Sequence, residues 1–291
     1  MKLITFTSPA GTRLGAVKNN LIIDLPAASD GKLPADMLTF LQQGDKAMSL
    51  AREILSRDNL DAFSQPFDEN TLLAPVANPS KIMAIGRNYA AHAHEQKMEP
   101  PKSPVIFAKY PSAIIGPNQT ITWSDSLTQK VDFEAELAVV IGKTARKVSE
   151  ADALNYVAGY TACNDVSARD LQFSDKQYTR GKSLDTFCPL GPWLVTADEI
   201  ANPQSLRLRA ILNGQVMQDA TTSDMIFGVA YLIAFMSRAF TLFPGDIIST
   251  GTPSGVGVFR DPPVFMKDGD EIIIEVEKVG KLKNICRVEP F

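Results

Sequence analysis

Histidine and cysteine are scarce in this chain: its 291 residues include two of the first and three of the second. No Cys/His cluster exists to prefer zinc. The cysteines, Cys163, Cys188 and Cys286, are odd in number and far apart, which fits a reducing cytoplasm better than a disulfide framework. Cys188, in "DTFCPLGPW", reads as buried and inert rather than as a nucleophile. Lys and Arg form no basic run and the formal net charge is −4, so the footprint of a nucleic-acid or acidic-membrane binder is missing. The first apolar stretch is broken by Ser8, Arg13, Lys18 and two asparagines, and no signal peptide is expected. The longest later run, "MIFGVAYLIAFM", is too short to cross a bilayer and is closed by Arg238. There is no repeat of fixed period and no low-complexity tract. The expected partner is a small molecule.

The composition, 45% hydrophobic and 21% charged, supports a large core in one large domain or two modest ones. Residues 1 to 24 alternate strand-like runs with turn residues, as in a short β-meander. A helix is expected over roughly 36 to 57. "LLAPVANPSK", with two prolines and an Asn-Pro step, reads as a linker ending near residue 80. This gives a small β-rich domain with a helix over 1–75 and a catalytic domain over 80–291. In the latter "KIMAIG", "VIFAKY", "FEAELAVVIG", "PWLVT", "LRLRAILNG", "DIISTG" and "EIIIEVEKVG" are strand candidates. Helices are expected near 149 to 157 and 223 to 240, the second capped by Ser223 or Asp224. A parallel βαβ rhythm is missing, so the predicted class is α+β around a mixed, curved sheet.

Within "DFEAELAVVIG" an apolar run suited to a doubly buried strand is preceded by Glu134 and Glu136. Residues two apart share a face, so both carboxylates point one way at the mouth of a hydrophobic sheet. Unless a cation sits between them, one must take up a proton. A hard divalent cation would resolve the conflict with oxygen ligands. A third donor is supplied by Asp165 in "GYTACNDVSARDLQ", with Asp170 as the rival.

Both histidines fall in "GRNYAAHAHEQ". On a short helix His92 and Glu95 share a face, the arrangement of a general-base dyad, whereas His94 points elsewhere. Lys182, in "GKSLDTFCPLGPW", could meet an anionic substrate oxygen. "STGTPSGVG" lacks the ending of a phosphate loop; its amides and the Thr252 hydroxyl could hold a carboxylate instead. Arg87, Arg169 and Gln172 could line a pocket or tie down loops.

"GRNYAAHAHE", "DFEAELAVVIG", "GYTACNDVSARDLQ", "GKSLDTFCPLGPW", "LNGQVMQD", "DMIF" and "GDIISTGTPSGVG" occur in the order seen in the fumarylacetoacetate hydrolase family, and the resemblance covers roughly 80 to 291. It implies a β-rich mixed sheet rolled into a barrel-like core. It also implies one Mg²⁺ or Mn²⁺ per subunit on Glu134, Glu136 and Asp165, a His92–Glu95 dyad on a mobile lid, and substrate contacts from Lys182 and Thr252; Arg87 and Gln172 are candidate substrate contacts from their own positions rather than from the resemblance. The implied substrate is a 2-oxo acid or dicarboxylate handled through its enolate. Hydrolysis of an acylpyruvate C–C bond is the first expectation. Oxaloacetate decarboxylation and isomerisation of a hydroxyhepta-dienedioate type are the alternatives, and binding without turnover is a remoter one. A homodimer is expected, from the resemblance and from the nearly all-round apolar helix at 223 to 240.

Overall fold

The computed structural model describes residues 1–290. The N-terminal runs form an antiparallel meander, β1 (Lys2–Ser8), β2 (Gly11–Lys18) and β3 (Leu21–Asp24). Its second turn uses Asn19 and Asn20, both left-handed at φ +51 and +60, as a two-residue hairpin turn requires. Next come α1 (Leu25–Ala28), α2 (Met37–Gln42) and α3 (Gly44–Ser56). The single helix expected over 36 to 57 is therefore two. Asp36 caps the first by accepting from the Thr39 amide at 2.8 Å, and Gly44, at φ +62, turns the chain before the second.

The chain continues through β4 (Ser64–Pro66), β5 (Leu72–Leu73), β6 (Ile82–Gly86), α4 (Ala90–Glu95), β7 (Val105–Lys109), β8 (Ile114–Ile115), β9 (Thr120–Trp123), β10 (Val131–Asp132) and β11 (Ala135–Ile141). After these come β12 (Val157–Asn164), β13 (Ser167–Ala168), α5 (Arg169–Asp175), α6 (Tyr178–Gly181), β14 (Cys188–Thr196), β15 (Arg207–Leu212), β16 (Gln215–Thr221), α7 (Val229–Ala239), β17 (Ile247–Ser249), β18 (Glu271–Val276) and β19 (Gly280–Val288).

Two helix expectations are corrected. Over 149 to 157 only a short 3-10 turn, Ala153–Tyr156, forms, because Ser149 closes a polar turn on Asp152 and Val157 already opens β12. The helix expected from 223 begins at Val229 with Gly228 at its N-cap. The backbone amides of Ile226 and Phe227 are drawn off to the Asn88 carbonyl and side-chain oxygens at 2.7 and 2.8 Å, so a tertiary contact overrides local helix propensity.

Twelve strands form one mixed sheet with the path β4-β3-β2-β1-β14-β12-β11-β17-β6-β7, β5 joining β1 and β8 joining β14. The meander is thus continuous with the rest of the chain, β1 pairing with β14 at Lys2↔Val195 and Leu3↔Leu194. A second sheet runs β16-β15-β18-β19-β9. The class is α+β and sheet-rich, and the sheets stay open rather than closing into a barrel. Alternation along β11 explains its two-sided burial. Leu137, Val139 and Ile141 enter one core with Leu208, Ala210, Ile272 and Ile274 of the second sheet. Ala138 and Val140 enter another with Phe40, Leu41 and Ile54 of the N-terminal helices. No described helix is long and apolar enough to cross a membrane.

Candidate metal centre and active site

At the N-terminal end of β11 the sheet gives way to carboxylates. Glu134 lies one residue before the strand, its amide donating to the Asn164 side chain at 3.0 Å, and its carbonyl accepts from the Asp165 amide at 3.0 Å. These two bonds bring the ends of β11 and β12 together, so Asp165 arrives beside the glutamates. One oxygen from each of Glu134, Glu136 and Asp165 lies within 4.8 Å of the others, and all three residues are buried.

Cations partly neutralise this cluster. The Lys182 ammonium donates to Glu134 Oε2 at 2.9 Å, Asp165 Oδ2 at 2.7 Å and Ser167 Oγ at 2.8 Å. Arg169 reaches Asp132 Oδ2 at 2.8 Å and Glu134 Oε1 at 2.7 Å. Lys109, which the sequence reading passed over, donates to Asp165 Oδ1 at 2.6 Å and to the Lys182 carbonyl. Among the described residues Glu136 receives no cation, only the Ser249 hydroxyl at 2.5 Å and the Gly251 amide at 2.9 Å.

The titration behaviour follows from these partners. Burial pushes the Glu136 carboxyl well above the usual carboxylate range, and Asp165 and Glu134 beside it raise it further. Burial would raise Glu134 too, but Lys182 and Arg169 outweigh it and bring that carboxyl down to about 2. For Lys182 burial opposes the charge, while Asp165 and Glu134 prevail and its pKa rises. The donor set is all oxygen, crowded, and leaves one buried carboxylate without a cation, which fits a hard divalent ion.

Above the triad lies a cleft of about 210 Å³ whose walls include Arg87, His92, Glu134, Gln172, Lys182 and Thr252. His92, on α4, is 3% exposed. Its Nδ1 is 3.0 Å from Glu95 Oε2 and its Nε2 is 2.7 Å from the Gln96 side-chain nitrogen. An amide nitrogen only donates, so Nε2 carries the lone pair and Nδ1 the proton given to Glu95. Glu95 stands behind the imidazole and accepts from the Gly255 amide at 2.9 Å. The same loop sends the amides of Gly257 and Val258 to Asp132 at 2.7 and 3.0 Å, and Asp132 in turn holds Arg169. One loop therefore ties the dyad to the carboxylate cluster.

The sequence-predicted residues converge, with Glu95, Glu136 and Asp165 one layer back from the cleft wall. Thr252 bonds the Ala135 carbonyl at 3.0 Å and accepts from Gln218 at 2.8 Å. Gln172 accepts from Arg169 at 3.0 Å. The rival Asp170 instead accepts from Thr128 Oγ1 and the Gln129 amide at 2.6 and 3.1 Å. His94 is exposed, and Cys188 is buried and free. Sequence reasoning missed Lys109, Asp132, Gln96 and the aromatic wall of Phe107, Phe173, Tyr178 and Phe259. The available signal for Lys109 was a lysine closing the otherwise apolar run "VIFAK".

Comparison with known proteins agrees with this geometry. The family described as fumarylacetoacetate (FAA) hydrolase C-terminal matches residues 81–288. Oxaloacetate tautomerase FAHD2A, mitochondrial, of Bos taurus is 47% identical over 290 residues, covering 98% of this chain and 91% of that protein. Its Homo sapiens counterpart is 45% identical with the same coverage. Among solved structures, a fumarylacetoacetate hydrolase from Exiguobacterium antarcticum aligns with a TM-score of 0.85 at 35% identity, covering 99% of this chain and 100% of that one. A 5-carboxymethyl-2-hydroxymuconate delta-isomerase from Mycobacterium smegmatis aligns with a TM-score of 0.78 at 36% identity and the same coverage. With its whole catalytic region matched and relatives this similar along nearly its full length, the chain belongs to the fumarylacetoacetate hydrolase family.

Proposed function

We propose that the protein is a metal-dependent enzyme acting on a 2-oxo acid through its enol, and that oxaloacetate keto–enol tautomerisation is its first activity. One observation carries the reading: His92, oriented by Glu95, opens onto the same cleft as Glu134 and Lys182. Glu134, Glu136 and Asp165 would hold one Mg²⁺ or Mn²⁺ per subunit. When bound, that ion supplies Lewis-acid stabilisation of the negative charge that develops on the 2-oxo oxygen.

The chain's own residues supply the rest. Nε2 of His92, its lone pair released when the Gln96 amide gives way to substrate, moves the proton at the carbon beside the oxo group, and Glu95 stabilises the imidazolium that results. Lys182, held charged, meets an anionic substrate oxygen. Thr252 and Gln172 orient the bound acid from the facing walls. The aromatic wall limits the entry of water.

The relatives' names favour a proton shift over hydrolysis, since tautomerases and a delta-isomerase both perform one. Acylpyruvate hydrolysis, the first expectation from the sequence, is the second reading, favoured by the likeness to the Exiguobacterium hydrolase. There the same base would activate water against the far carbonyl. The deciding experiment follows enol absorbance and pyruvate release together, with oxaloacetate and a small acylpyruvate, with and without Mg²⁺. Metal-dependent loss of enol ahead of pyruvate supports tautomerisation. Pyruvate appearing at the rate of enol loss means decarboxylation, and turnover of the acylpyruvate alone means hydrolysis. No metal-dependent effect on either compound sinks the proposal.

We further propose a cytoplasmic homodimer without nucleic-acid or membrane partners. The three free, buried cysteines suit a reducing compartment, although the mammalian relatives are named mitochondrial.

A further inference from the structure

Three cationic side chains line the cleft, and two of them are neutralised there: Lys182 by Glu134 and Asp165, Arg169 by Asp132 and Glu134. Arg87 is different. Among the described residues it forms no ion pair with a carboxylate. Its Nη1 donates only to the thioether sulfur of Met98 at 3.2 Å, and its Nε is buried with no partner. A thioether is a weak acceptor and no match for a planar cationic fork of five donors.

The backbone makes the placement costly and firm. Arg87 adopts φ +55, a left-handed conformation that arginine rarely takes. Residues held this way cluster at ligand sites when their surroundings fix them, and here both neighbours are fixed. Gly86 pairs with Val105 across β6 and β7. The wholly buried Asn88 donates to the carbonyls of Phe227 at 3.0 Å and Thr250 at 2.7 Å, and accepts from the Phe227 amide at 2.8 Å. The turn therefore presents a preorganised and uncompensated guanidinium to the cleft.

We propose that Arg87 is the subsite for a second, distal carboxylate of the substrate, and that it makes the protein select 2-oxo diacids over 2-oxo monoacids. The inference rests on the 2-oxo acid reading above and deepens it. The carboxylate at the 2-oxo end belongs with the metal cluster and Lys182. The distal one receives the fork of Arg87, a charge-assisted and bidentate pairing that only a diacid can complete.

The test is calorimetric binding in the presence of Mg²⁺, without turnover. The probes are matched pairs of equal chain length: 2-oxoglutarate with 2-oxopentanoate, and 2-oxoadipate with 2-oxohexanoate. Wild type should bind at least one diacid about ten-fold or more tighter than its monoacid partner. Arg87→Leu should abolish that preference by weakening the diacid, with monoacid affinity and melting temperature little changed, and Arg87→Lys should restore part of it. Equal affinity within both pairs for wild type, or a preference that survives in Arg87→Leu, overturns the subsite alone. Binding of none of the four acids by wild type overturns the 2-oxo acid reading and the subsite with it.

Discussion

Lys109 and Asp165 form an ion pair with no solvent exposure on either side chain, Nζ to Oδ1 at 2.6 Å. Removing one partner of a buried pair strands the other charge, which typically costs about 3–5 kcal/mol. Asp165 keeps Lys182 as a partner, so Lys109→Met should destabilise the metal-free protein by less than that, on the order of 1–3 kcal/mol in urea denaturation. Saturating Mg²⁺ or Mn²⁺ should recover part of the loss, because the ion gives Asp165 a new counter-charge. A loss unaffected by metal would place Asp165 outside the ion's coordination.

Among the described residues Glu136 is paired with no cation, and burial pushes its carboxyl upward, so exchanging it for a neutral amide breaks no ion pair. Glu136→Gln should therefore change metal-free stability by less than the loss of a buried ion pair would, under about 3 kcal/mol. Wild type should gain about 2.7 kcal/mol when metal is supplied at a hundred times its dissociation constant, and the variant should gain almost nothing. Thermal melts in EDTA and in Mn²⁺ make the comparison, and an equal metal response in both proteins would remove Glu136 from the ligand set.

His92→Ala should slow the tautomerisation of oxaloacetate on the order of 10²-fold or more, the usual cost of a lost general base, while metal affinity holds. Decarboxylation of oxaloacetate needs chiefly the electron sink and should fall far less. Comparing both rates in the one variant controls for any disturbance of α4. Equal losses would withdraw His92 from the role of base.

Leading into α7, the ring of Phe227 stacks on Tyr231 at 5.3 Å, and within the helix Tyr231 stacks on Phe235 at 6.1 Å. All three are half-buried, while the opposite face of the helix, with Leu232, Ile233 and Met236, fills the core. We expect this ladder to be covered by a second copy. Solution scattering at micromolar concentration should report a dimer for wild type and a monomer for Tyr231→Glu. A wild-type monomer would end the idea.

We expect residues 1–75 and 80–291 to fold as one cooperative unit. Deleting 1–75 opens the edge of β14 and uncovers Ala138, Val140, Leu190 and Leu194. The shortened protein should aggregate, as an exposed hydrophobic edge does. A soluble, monodisperse product with a cooperative melt would show instead that 80–291 is independent.

Strand identity was legible because composition and alternation are local. "FEAELAVVIG", "LRLRAILNG" and "EIIIEVEKVG" all became strands. The pairing of Glu134 with Glu136 was visible as a two-residue spacing, and His92 with Glu95 as a three-residue one. Lys109 and Asp132 were not legible in the same way, whereas Gln96, four residues after His92, was within reach of the same helical spacing and was overlooked. Lys109 meets Asp165 across 56 positions and Asp132 meets Gly257 across 125, and no periodicity encodes such distant meetings. The false start of the helix at 223 has the same origin, since the amides that would have begun it bond Asn88, far away in the chain.

The join between β1 and β14 also bears on how the molecule is made. On its second edge β1 pairs with β5 at Thr5 and Phe6, but the partner of its Lys2–Leu3 end lies nearly two hundred residues downstream, and the amine of Met1 closes on Thr196 at 2.7 Å across 195 positions. During synthesis the meander leaves the ribosome well before β14, and this end of its edge stays open until residue 196 has emerged. At about 5–20 residues per second that interval lasts on the order of ten seconds or more, long compared with the microseconds in which a hairpin forms. The nascent chain thus passes through a long stage with part of the meander's edge exposed, and chaperone demand should fall once β14 is delivered.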